Sequence, residues 1–164
     1  MRIFSILAFC TMSGCMVALP GDPLSRDGFG ESAEQTTAEN DASFGAMMNT
    51  YRVSTGVGVV EFDARLSAAA QTHAQDMVDR NYFDHENPEG MDVRARMIEE
   101  GYTPDAWGEN IAGRQSSETE VLNAWINSKD HNDILTAESF EDYGLGLAVG
   151  SESRWVLVMG REAR

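Results

Sequence analysis

The chain has 164 residues, of which 42% are hydrophobic and 24% charged, the length and balance of one soluble globular domain. Its 27 acidic against 12 basic residues give a formal charge of −15, a field that repels phosphate backbones and argues against nucleic acid as a partner. Both cysteines, Cys10 and Cys15, lie near the N-terminus, so the rest of the chain has neither a disulfide nor a cysteine zinc site.

Residues 1–15 carry Arg2 and then an apolar run over 3–10. That run is far below the ~20 residues a membrane-spanning helix needs, and it reads as an export signal. Met12-Ser13-Gly14-Cys15 resembles the bacterial lipobox, in which small residues precede a cysteine that is lipidated and becomes the new N-terminus. Cys15 is therefore the expected lipidation site, and a lipid anchor the only expected attachment to a membrane; an ordinary cleaved signal is the alternative. Residues 16–42 are rich in Gly, Ser, Thr, Asp and Glu, with Pro20 and Pro23 near the start. They have little to bury and read as a disordered tether, leaving the domain to residues 43–164.

Phe44, Met47, Met48 and Tyr51 fall on one helical face, with Ser43 as the expected N-cap. Asp63 caps a second helix whose stripe holds Leu66, Ala69, Ala70, His73 and Met77. Its three consecutive alanines allow close approach of a neighbouring element. His73 sits on the apolar stripe and reads as a hydrogen-bonded core residue. That helix ends near Arg80, and Tyr82 and Phe83 are expected to pack back on it, leaving His85 on the following loop. Asn87-Pro88-Glu89-Gly90 is a turn. A third helix follows with Val93, Met97 and Ile98 inward and Gly101 as its stop; Arg94 and Arg96 read as solvated or paired with acidic neighbours.

Residues 107–113 are a glycine-bounded strand or strand entry. Ser117 and Glu120 form a capping box, opening a helix with Val121, Leu122 and Trp125 inward. Ser128, seven residues past Val121, belongs to the same face, and His131 follows within a turn, where the helix ends or kinks. The runs 143–149 and 154–160 predict an antiparallel hairpin. Four helices before two or three strands place the chain in the α+β class, with helices covering a small sheet.

Three polar clusters punctuate these elements: Asp84-His85-Glu86-Asn87, Gly108-Glu109-Asn110 and Ser128-Lys129-Asp130-His131. Two imidazoles and a carboxylate suit a borderline divalent metal such as zinc, with water in the open position. Such a site activates water for hydrolysis, with Glu109 as ligand or general base. The competing reading is structural: Glu109 and Asn110 bind backbone groups and lock loops, and the histidines hydrogen-bond to them. Ser128 beside His131 invites a nucleophile reading, without a recognisable nucleophile elbow or oxyanion loop. Trp107 and Tyr102 read equally as groove or core.

Taken in order, LSAAAQTHAQDM (66–77), FDHENPEG (83–90), Arg96 with Gly101-Tyr102, GENIA (108–112), AWINSKDH (124–131) and YGLGLA (143–148) resemble the bacterial pattern of a CAP domain. This is the domain of cysteine-rich secretory proteins, antigen 5 and plant pathogenesis-related 1 proteins, and the resemblance covers residues 43–161. It implies an α–β–α sandwich with a small antiparallel sheet between helical layers. It also implies a surface cleft in which His85, Glu109 and His131 meet and hold a divalent metal. Ser128 stands where the eukaryotic pattern has a second Glu, so the tetrad is incomplete and lacks one carboxylate; Asp130 and Asp84 are the candidates to compensate. The function expected is an exported, lipid-anchored binding module of the cell envelope, periplasmic or on the outer membrane, or else secreted. Its partner would be an envelope lipid, peptide, glycan or protein. The alternative is a metal-assisted hydrolase, peptidase or esterase-like, with Glu109 as the catalytic candidate.

Overall fold

A computed structural model describes the backbone of residues 31–164 and the side chains from Ser43 onward. The export signal, Cys15 and the tether up to residue 30 lie outside the described residues. Helix α1 runs Glu31–Ser54, so Ser43 sits inside a helix rather than capping one. The segment ESAEQTTAENDA is rich in good helix formers and continues the helix N-terminally. Phe44 and Met48 are fully buried on its inner face.

Strand β1 (Glu61–Phe62) leads into α2 (Ala64–Asp79), and Asp63 caps that helix through a bond from the Arg65 N–H. Helix α3 (Val93–Glu99) is capped by Asp92 and stops at Gly101, whose φ of 82° suits glycine. Ile98 is exposed instead of inward, and its place on the buried stripe is taken by Arg96. Next come β2 (Pro104–Gly113), α4 (Glu118–Ile126), α5 (Lys129–Leu135), β3 (Asp142–Val149) and β4 (Ser153–Glu162). The continuation of α4 is broken at Asn127, and Ser128 opens α5 as a separate helix. Ser117 caps α4 as expected, but the Glu120 carboxylate reaches Ser116, one residue further back than a capping box requires.

The four strands lie in the order β1-β3-β4-β2. β3–β4 and β4–β2 are antiparallel, and the two-residue β1 adds a short parallel edge to β3. Both faces of the sheet are covered. Trp155, Leu157 and Met159 of β4 face a core shared with Phe44, Met48, Leu122 and Trp125 of α1 and α4. The alternate residues Val156 and Val158 face Leu66, Ala70, Met77 and Met97 of α2 and α3. The result is an α–β–α sandwich in which β4, buried on both sides, is central.

The fit between α2 and β3 is close. A Cβ added at Gly144 would lie 2.0 Å from the Ser67 backbone nitrogen, and one at Gly146 would lie 2.4 Å from the Ala70 carbonyl carbon. The alanines of α2 and these glycines are two halves of one contact. On the other side Arg52 is fully buried and donates from all three guanidinium nitrogens, to the carbonyls of Gly58, Leu135 and Ala137. It ties α1 to the end of α5.

Candidate functional site

β2 is an edge strand, and its alternation divides the GEN cluster between the two faces of the sheet. Glu109 points toward α3, and Asn110 points toward α5. A glycine at 108 is required by the α5 side, where a Cβ would lie 3.0 Å or less from Ile134 and Phe140.

The Glu109 carboxylate is almost completely buried, with 2% of its side chain exposed, and both of its oxygens are engaged. Oε2 accepts a 2.7 Å hydrogen bond from Arg96 Nη2, and Oε1 accepts one of the same length from His85 Nδ1. Arg96, itself 5% exposed, also donates to the carbonyls of His85 and Met91, fixing the loop that carries the histidine. His85 is thus held from below while 54% of its side chain remains exposed. The hydrogen bond to Glu109 raises the His85 pKa above the ordinary imidazole value.

His131 stands on α5 across the strand edge. Its Nδ1 shares a 2.7 Å hydrogen bond with the Ser128 hydroxyl, which makes no N-cap bond of its own. Asn110 anchors this helix by donating from Nδ2 to the His131 carbonyl at 2.9 Å. Burial, and then the nearby charge of His85, lower the His131 pKa. The two histidines are therefore electrostatic neighbours, but no hydrogen bond joins His131 to His85 or Glu109. His73 is buried in the core and bonds to the Asp84 carbonyl through Nε2, as its place on the apolar stripe suggested.

This arrangement bears on the metal. Each Glu109 oxygen accepts one hydrogen bond inside a side chain that is 2% exposed, so both are already engaged in holding Arg96 and His85. Each histidine has one ring nitrogen, Nδ1, already in use, which leaves its Nε2. Among the described residues no group of three or more His, Cys, Asp or Glu is arranged to hold a metal ion. The donor set fits Glu109 as the outer partner that orients a histidine, not as a ligand itself.

Several sequence readings are sorted by the geometry. Tyr102 is fully buried, with its hydroxyl donating to Asp142, and belongs to the core. Trp107 remains 44% exposed, with the Arg94 guanidinium over its ring at 5.3 Å. Phe83 does not pack back on α2: it is 51% exposed, beside Gly113 and under Arg154. Arg96 reads from the sequence, with Arg94, as solvated or paired with acidic neighbours, and the structure buries and pairs it. Its spacing from Val93 and Met97 placed it on the buried stripe, but nothing local named Glu109 as its partner.

A model of the cysteine-rich secretory protein family, CAP, matches residues 46–159. The Bacillus subtilis protein YkwD is 33% identical over 124 residues, covering 76% of this chain and 48% of that protein. Among solved structures, an extracellular Bacillus anthracis protein containing an SCP domain superposes with a TM-score of 0.70 at 26% identity, covering 88% of this chain and 45% of its own. An outer surface protein of Borrelia burgdorferi gives 0.64 at 17% identity, covering 82% and 95%, and shares the fold. The chain spans about half the length or less of the curated relatives it matches.

Proposed function

The chain belongs to the CAP family, and from that premise we propose that it is an exported, lipid-anchored binding module of the cell envelope. The observation that carries this reading is the state of Glu109: buried, with both oxygens bonded, it holds His85 in place instead of acting on a substrate. A site built to present a half-exposed imidazole on a fixed loop suits recognition. The extracellular SCP-domain protein of Bacillus anthracis supports export, and the lipobox-like Cys15 supports anchoring. A divalent cation, zinc above all, enters as a guest of the two imidazole Nε2 atoms with water completing its shell.

The test is saturable binding by the full chain, measured against phospholipid vesicles, peptidoglycan fragments and solubilised envelope proteins. At least one class should bind with one-to-one stoichiometry and lose affinity in the His85→Ala/His131→Ala double variant. No saturable binding to any of them would overturn the reading. Anchoring is read separately: Cys15→Ser should abolish incorporation of a labelled fatty acid.

A further inference from the structure

The face of β2 that carries Glu109 also organises what lies exposed around it. Trp107, Glu109, Ile111 and Gly113 alternate onto the α2/α3 side, in a stretch where pairing with β4 runs without a break. Trp107 stands at one end of this row, 44% exposed. His85 stands over Glu109 in the middle. Phe83 stands at the other end, 51% exposed, with its ring 3.7 Å from the position a Gly113 Cβ would take. Two open aromatic rings, Trp107 on the strand and Phe83 on the loop beside Gly113, thus stand at strand positions six residues apart, a span of about 20 Å along β2. Each has a guanidinium stacked over it, Arg94 on Trp107 and Arg154 on Phe83, which restrains the ring while leaving about half of it exposed.

Resting on the binding reading above, we propose that this row is a platform for an uncharged glycan chain, with Trp107 and Phe83 stacking on two of its sugar rings. The interval between the aromatics decides the class of ligand. It is polar, being occupied by His85 and flanked by the exposed carboxylates of Asp84 and Glu86, so it does not offer the continuous apolar stripe an amphipathic helix or an acyl chain needs. Those carboxylates, and a chain charge of −15, repel a polyanion. A neutral saccharide meets the charge pattern: its C–H faces stack on the rings, and its hydroxyls donate to Asp84 and Glu86 and accept from His85 and Arg94. Arg94 is exposed, with its guanidinium over the Trp107 ring. The span accommodates roughly four linked sugar rings, so recognition depends on chain length.

Trp107 supplies its own reporter, because Trp125 and Trp155 are buried at 1% and 4% exposure. The full chain is titrated with N-acetylchitohexaose and with cellohexaose, following the protection of tryptophan fluorescence from acrylamide and, in parallel, calorimetry. Saturable protection is expected with at least one hexamer, which should bind about tenfold more tightly than the corresponding dimer. Phe83→Ala and Trp107→Ala should each lose about tenfold by calorimetry with unchanged circular dichroism, and Trp107→Phe should retain binding. Absence of protection by either hexamer, equal affinity for dimer and hexamer, or protection by a polyproline peptide or alginate in their place overturns the proposal. If the saccharides fail while the chain still binds vesicles or envelope proteins saturably, the platform is refuted and the wider binding reading stands.

Discussion

Replacing Arg96 with methionine isolates the interaction that builds the site. The Arg96 and Glu109 side chains are 5% and 2% exposed and meet at 2.7 Å. Removing the cation leaves a buried carboxylate with only His85 as a partner, and breaking such a pair from one side costs about 3–5 kcal/mol. The lost bonds to the carbonyls of His85 and Met91 act in the same direction. Against a total stability of about 5–15 kcal/mol this is a large fraction, and it should lower the urea midpoint by about 2 M. The decisive arm is the double variant. Glu109→Gln alone is destabilising, but in the Arg96→Met background it removes the stranded charge and should recover about 2 kcal/mol or more. Urea unfolding followed by circular dichroism measures all four proteins. A loss below about 1 kcal/mol for Arg96→Met, or strict additivity of the two changes, would refute the claim that this pair holds the site.

Gly144→Ala and Gly146→Ala should each destabilise by more than the ~1–3 kcal/mol typical of overpacking, because the added methyl meets α2 backbone and not a flexible side-chain end. Thermal melts should show Gly58→Ala, with open space around it, within about 0.5 kcal/mol of the parent. In an NMR titration of the three histidines, His85 should protonate at the highest pH and His131 below the ordinary imidazole range, and Glu109→Gln should bring His85 down. The sign for stability follows. The protonated His85–Glu109 pair contributes fully below the ordinary imidazole pKa of about 6.5 and is lost as pH rises through the raised value. His131 acts oppositely, its share falling as the unfolded chain takes up a proton near that same pKa. Ser128→Glu places a carboxylate beside His131, so it should raise the His131 pKa and tighten zinc binding by calorimetry; unchanged zinc affinity would count against a cation between the two imidazoles.

The parts of this structure that could be read from the sequence are those whose cause is local. Asp63, the stripe from Leu66 to Met77 and the stop at Gly101 each announce themselves within a few residues, and each was found in place. The glycines of 143–148 and the alanines of α2 were visible separately, though not as a single contact. What escaped depends on partners distant in sequence. Arg52 lies on the stripe of Phe44 and Met48, but the carbonyls that let a guanidinium be buried there are more than eighty residues on, at Leu135 and Ala137, and nothing local names them. The sequence marks the boundary of α4 and α5 only as an end or a kink, and the bond that anchors α5 comes from another element, Asn110 donating to the His131 carbonyl. Phe83 looked like a core residue by composition alone. Its exposure is decided by how the loop is tied down at Arg96 and Glu109.

The position of β4 has a consequence for how the molecule comes into being. Among the described strands it comes last in chain order, yet both β2 and β3 pair with it, and its two faces contribute to both cores. Until residues 153–162 emerge during synthesis, β2 has no partner strand, α2 and α3 have half a floor, and the Glu109 site has no rigid strand beneath it. The helices that precede it are mostly too short to persist alone. Vectorial synthesis should therefore leave the elements of this domain without their central strand until a late, long-range step closes the fold.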